Sequence, residues 1–144
     1  MTRRMVYRGS LNGTGQILRE FPVNASQTIE RGDIVVLSSA KASIAGDAAA
    51  AGTVLGVSDT DIVTTASPAT TDVIKVDVNP ASIYRMKFSG SATPAIGAKY
   101  DLATAAYIFD TDDTTDGYIQ VVGNVDTDAD EADVILCNRV FGMA

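Results

Sequence analysis

Short apolar runs broken by polar turns fill this chain: "QILREF", "DIVVLS", "TVLGVS", "DVIKVDV", "SIYRMKF", "KYDLA", "YIQVVGNV" and "DVILCNRVF". They are rich in Val, Ile, Tyr and Thr, and clusters of Gly, Pro, Asn, Asp and Ser separate them. An all-β sandwich or barrel produces that spacing. Alternation sharpens two of the runs. In "SIYRMKF", Tyr84, Met86 and Phe88 point one way and Ile83, Arg85 and Lys87 the other, as in a half-buried strand. In "DVIKVDV", Val76 and Val78 share a face, and Lys75 and Asp77 are expected on an opposite, wet face. Asn79 and Pro80 mark a turn between these two strands. Helical periodicity is scarce. The best stretch, "AGDAAAAG" over residues 45–52, has good helix formers between glycines and predicts one or two turns at most.

Several phrases occur twice in the same order. "RGDIVVLSSAKASI" (residues 31–44) aligns with "IGAKYDLATAAYIF" (96–109), "VLGVSDTD" (54–61) with "VVGNVDTD" (121–128), and "DVI" (72–74) with "DVI" (133–135), at offsets of 65, 67 and 61 residues. Two similar β-units, spanning residues 31–78 and 96–141, account for this order, each with a glycine-led hairpin, a V-x-G strand and a closing D-V-I strand. Gly56 and Gly123 lie inside apolar runs, where glycine marks a bulge, a bend or a close backbone approach. The organisation expected is a small β-barrel or sandwich-like domain over residues 16–144, preceded by an extended, flexible, basic arm over residues 1–15. The glycines of "GSLNGTG" are read as its hinge.

At 144 residues and 46% apolar content, the chain is long enough for a real core. No apolar stretch approaches the roughly 20 residues of a membrane-spanning helix. The arginines of "MTRRMVYRGS" are not followed by the apolar region of an export signal, so cytoplasmic synthesis is expected. Without such a signal the glycosylation patterns "NGT" and "NAS" carry little weight. Cys137 is the single cysteine, which excludes an internal disulfide and a cysteine-built zinc site; its apolar neighbours suggest a small buried residue. A net charge of −7 argues against general nucleic-acid binding. The charge is uneven: residues 1–20 hold four arginines and one acid, residues 101–133 ten acids and no lysine or arginine. A basic end of this kind, carrying apolar residues as well, suits contact with a partner.

The chain has no histidine, so Ser-His-Asp and Cys-His arrangements are excluded, along with imidazole metal sites. No phosphate-binding loop is present. In "DTDDTTDG", Asp112, Thr114, Asp116 and Gly117 fit positions 1, 3, 5 and 6 of a calcium loop, but Gly123 stands where the bidentate glutamate belongs. "DTDADEAD" (126–133) has acids without a glycine to fold it around an ion. Paired acids also serve glycosidases, but these lie in loops with no tryptophan to stack on a sugar. The expectation is a non-enzyme, with no metal and no cofactor.

The stretch "FPVNASQTIERGDIVVLSSAKASIAGDAAAAGTVLGVSDTD" (residues 21–61) resembles the N-terminal half of the head decoration, or cement, proteins of tailed bacteriophages. In those, a polar strand leads into a G-D-h-V-x-L turn, with h apolar, then alanine-rich sequence and an h-h-G-V strand. "YRMKFSGSATPAIGAKYDL" and the residues after it continue in the same style, so the resemblance covers roughly residues 21–141. It implies a structural virion protein, made in the host cytoplasm and bound to the outer capsid surface. There, as a homotrimer, it would clamp neighbouring major capsid subunits. On that reading Arg3, Arg4, Met5, Val6, Tyr7 and Arg8 are the capsid-binding residues. The arm adds an edge strand, Met5 and Tyr7 enter pockets, and Arg4 and Arg8 pair with acids. The alternative is a carbohydrate- or receptor-binding β-module of a head fibre or adhesin.

Overall fold

A computed structural model describes residues 4–46 and 52–141. Thirteen strands and no helix are present among them. The stretch expected to form one or two helical turns lies largely outside the described residues.

Ten of the strands form two sheets with one connectivity. The first contains β2 (Leu18–Pro22), β4 (Ile34–Ser38), β5 (Lys41–Ile44), β6 (Val54–Ser58) and β8 (Val73–Asp77), in the order β2-β8-β6-β4-β5. A parallel bridge, Val23 to Ala42, brings its two outer strands together. The second contains β9 (Ser82–Ser89), β10 (Lys99–Leu102), β11 (Ile108–Asp110), β12 (Ile119–Asp126) and β13 (Glu131–Leu136). These run in the order β9-β11-β10-β12-β13, and β13 pairs back onto β9 to close a five-stranded barrel. Taken in chain order, the five strands of each sheet have the same neighbours, with a parallel contact between the first and third: Val23 beside Ala42, Phe88 beside Phe109.

The turns that begin β4 and β10 are also alike. Gly32 and Gly97 have φ of 94° and 88°, a region that favours glycine, and the next residues close them with Asp33 N to Glu30 O and Ala98 N to Ala95 O bonds. Two short strands, β3 (Thr28–Ile29) and β7 (Ile62–Val63), pair with each other, and Ile29 and Ile62 pack on the first sheet's core. A strand β1 (Val6–Ser10) pairs antiparallel with β9.

Two clusters form the core. Val23, Val35, Ala42, Leu55, Ile74 and Val76 fill the first sheet. Tyr84, Met86, Phe88, Tyr100, Phe109, Ile119 and Val134 fill the barrel, with Phe109 stacked on Tyr100 at 5.5 Å and tilted against Phe88 at 5.6 Å. Ile34, Val54 and Val57 belong to this second cluster although they lie on the first sheet. That sharing explains why "IVV" and "VLGV" do not alternate: β4 and β6 are covered on both faces, and each fully buried aliphatic side chain contributes about 1.5–3 kcal/mol. The expectation for β9 holds, with Tyr84, Met86 and Phe88 inside. The expectation for β8 is corrected at one position. Lys75 is exposed, but Asp77 is 1% exposed, because the chain around Ile17 and the ring of Tyr84 close over it.

The repeated V-x-G phrases are not equivalent in register. Ile34 of β4 faces Val57 and the matching Lys99 of β10 faces Gln120, so Gly56 falls level with Ile119 and not with Gly123. Each nevertheless sits at an irregularity of its ladder, as glycine inside an apolar run predicts.

Candidate functional site

The N-terminal segment expected as a flexible arm is built into the fold over its described residues. Val6 pairs with Arg85, Tyr7 with Tyr84, Gly9 with Ile83 and Ser10 with Ser82, and a bulge separates Tyr7 from Gly9. The segment joins the sheet because it carries side chains the core can use. Met5 is buried in the barrel's cluster, and Tyr7 meets Tyr84 edge-on at 5.6 Å. Nor do the glycines after it act as a loose hinge. Asn79 donates from Nδ2 to Asn12 Oδ1 (3.2 Å), Thr14 Oγ1 (3.2 Å) and the Gly15 carbonyl (2.7 Å), tying the turn down.

The six residues proposed from sequence therefore separate. Arg3 lies outside the described residues. Arg4 is engaged within the chain: it pairs with Glu30, its Nε lies 3.2 Å from Asp33 Oδ1, and its guanidinium sits 3.9 Å over the ring of Tyr107. Burial pushes the Asp33 carboxyl above its ordinary range, against the lowering effect of the Glu30 N–H and the Arg4 charge. Met5 is inside. Val6 and Arg8 are exposed, and Tyr7 is half-buried.

Among the described residues, β1 is the outer strand of its sheet and pairs along its length with β9 alone. Beside it runs a groove of about 520 Å³, walled by Arg4, Met5, Val6 and Tyr7 on one side and by Arg31, Gly32 and residues 57–59 on the other. Tyr84 and Gln16 lie within it. The Tyr84 hydroxyl donates to Asp77 Oδ2 at 2.7 Å and accepts from Gln16 Nε2 at 3.0 Å. Burial first, and then the charge of Asp77, push the Tyr84 phenol far up. Asp77 Oδ1 accepts from the N–H groups of Ile17 and Asn79, each at 3.1 Å. Arg31 sits on the rim with its Nε 3.1 Å from Asp59 Oδ1.

This chemistry suits binding rather than proton transfer. Asp77, the carboxylate that meets the Tyr84 hydroxyl, has three donors, and the phenol is held neutral at ordinary pH. What the groove offers is an aromatic floor, a guanidinium rim and the open edge of a strand. Sequence reasoning found Tyr7 and Tyr84, the latter as a core residue. It missed Gln16, Arg31 and Asp77, for which the sequence carries no local signal, since loops remote in the chain bring them together.

The acids of these loops are taken up by donors of their own turn and of the turn after β9. Asp112 accepts from Ser91 N (2.8 Å), Ser91 Oγ (3.1 Å) and Ala92 N (3.2 Å), while Asp110 accepts from Asp112 N at 2.9 Å. Among the described residues, no three acids or cysteines converge as metal ligands would. Cys137 is half-buried rather than fully buried. Its thiol lies 3.4 Å from Gln120 Oε1, and burial pushes its pKa up against the lowering charges of Lys99 and Arg139.

No protein-family model matches this chain, and no curated protein matches it by sequence.

Proposed function

We propose that this chain is a non-enzymatic structural virion protein that binds the outer surface of a phage capsid and clamps neighbouring major capsid subunits. The observation that carries the reading is the open edge of β1 above its groove. A second polypeptide laid along such an edge gains main-chain hydrogen bonds that any sequence supplies, while the groove selects among side chains. The resemblance over residues 21–141 adds the capsid as partner and a homotrimer as the assembly. Val6 and Arg8 become the contact residues; Arg4 and Met5 hold the strand in place from within.

Co-sedimentation with mature, undecorated phage heads tests this. Deleting residues 1–15 would strip Met5 and β1 from the fold, so the informative variant carries Val6→Asp and Arg8→Glu, both at exposed positions. Saturable binding by the unaltered chain, weakened in the variant, is the expected result. No binding at micromolar protein overturns the reading in favour of a carbohydrate- or receptor-binding module. Sedimentation equilibrium of the protein alone tests the trimer.

A further inference from the structure

The two sheets share a connectivity, but one position is filled in only one of them. In the barrel, β1 lies against residues 82–85 of β9, on the side of β9 that β11 reaches further along. The matching part of the first sheet follows from the like turns at Gly32 and Gly97, which set Ile34 and Leu37 level with Lys99 and Leu102. Leu37 faces Ala42 and Leu102 faces Phe109, so the parallel contacts Val23–Ala42 and Phe88–Phe109 equate Val23 with Phe88. Ile34 faces Val57 and Lys99 faces Gln120, so Ser58 matches Val121; their partners Val76 and Val134 match in turn, and the pairs Arg19–Val76 and Tyr84–Val134 equate Arg19 with Tyr84. Both give the same 65-residue offset, so residues 17–20 correspond to 82–85. Among the described residues, the strand partner of Leu18, Arg19 and Glu20 is β8 alone, and β5 reaches β2 only beyond them, at Val23.

Exposure follows the difference. Tyr84, under β1, is 5% exposed, while Ile17 and Leu18 are each 39% exposed and Arg19 beside them is exposed too. We propose that this vacant edge of β2 is a second strand-addition site, occupied in trans by an extended, acidic segment of a partner protein lying antiparallel to residues 17–20, as β1 lies on β9.

Charge argues for the acidic partner. β1 carries Arg8 and lies on the barrel whose outer face holds Asp126, Glu131 and Asp133 around Arg85. The vacant edge has the opposite balance. Glu20 faces Lys75 across the β2–β8 ladder, which leaves Arg19 and, at the start of β5, Lys41. Apolar side chains of the added strand would cover Ile17 and Leu18, and its carboxylates would meet these two cations. The site stands on the fold alone and does not depend on the partner being a capsid subunit.

The test titrates the isotope-labelled full chain with a blocked octapeptide of alternating valine and glutamate, and in parallel with its valine–lysine counterpart. The expected result is saturable shifts over residues 17–20 and slowed amide exchange at Leu18 and Glu20, whose N–H groups alternate with those bonded to β8 and so face the free edge, with the glutamate peptide binding about tenfold tighter. In the Arg19→Glu, Lys41→Glu variant, whose changes are both at exposed positions, the preference should reverse. An unchanged melting temperature in that variant shows that the fold is intact. Absence of any perturbation at residues 17–20 with millimolar peptide overturns the site, as do shifts confined to the β1 groove. An unreversed preference in the variant overturns the acidic partner. Failure to bind phage heads, with the peptide result intact, overturns only the capsid reading.

Discussion

Arg139 lies across the face that Gly56 leaves bare. Its Nη2 donates to the carbonyls of Leu55 at 2.7 Å and Asp77 at 2.8 Å, and its Nη1 to the carbonyl of Asn79 at 3.0 Å. A Cβ on Gly56 would fall 2.5 Å from the same Nη2 and would strike the Asp77 carbonyl. Among the described residues β6 pairs with β8 at Val57 and Ser58 alone, and at the start of β6 the segment after β13 bridges from Arg139 to Val54. The guanidinium thus takes up carbonyls that the departing strands leave unbonded.

Gly56 also has φ of 154°, so a side chain there meets both collision and an unfavourable backbone. Gly56→Val should cost about 3 kcal/mol or more, measured by urea denaturation. Gly123 is the control: a Cβ there meets nothing within 4 Å, so Gly123→Ala should change stability by no more than about 1 kcal/mol. Equal losses at the two positions would contradict the packing around Gly56.

Arg139→Met keeps much of the stem but orphans three carbonyls and removes the positive charge near the buried Asp77. The expected loss is about 3–5 kcal/mol by chemical denaturation. Arg139→Lys should recover only part of it, because one ammonium cannot reproduce the planar fork that spans three acceptors.

Much of this architecture was legible in the chain. The alternation of Tyr84, Met86 and Phe88 gave the inner face of β9, the glycine-led turns at Gly32 and Gly97 marked the starts of β4 and β10, and Gly56 marked a close approach. What stayed hidden depended on contacts between residues far apart in sequence. Asp77 reads as a wet-face residue until the segment at Ile17 folds over it. Residues 1–15 read as an arm because a short basic segment looks the same whether it is loose or docked; only the core's need for Met5 and Tyr7 decides. The groove beside β1 joins Gln16, Arg31 and Tyr84, which no sequence spacing connects.

Tyr84→Phe removes the donor to Asp77 Oδ2 and the acceptor of Gln16 while keeping the ring against Tyr7. A loss of about 1–2 kcal/mol is expected in denaturation. Because burial and Asp77 push the Tyr84 phenol far up, it should not ionise before alkaline unfolding. Spectrophotometric titration of the variant should therefore show the same number of tyrosines ionising below the unfolding transition as the parent. One fewer would mean that Tyr84 is reached by solvent.

Two aspartates should act on acid stability in opposite directions. The N–H and hydroxyl of Ser91, with the Ala92 N–H, hold the Asp112 carboxyl below its ordinary value of 3.8. The unfolded chain then binds this proton at a higher pH than the folded one, so Asp112 stabilises the fold above pH 3.8 and loses that contribution as pH falls through its lowered folded value. Asp33 is the reverse. Its carboxyl is raised by burial, the folded chain binds the proton first, and the contribution is full below 3.8 and fades as pH rises through the raised folded value. Stability measured by urea denaturation at a series of acid pH values separates them. Asp112→Asn should flatten the fall in stability on acidification, and Asp33→Asn should steepen it. A parent-like slope in Asp112→Asn would show that the turn at Ser91 does not hold the carboxylate in solution, and a flattened slope in Asp33→Asn would mean that pairing with Arg4 outweighs burial at that site.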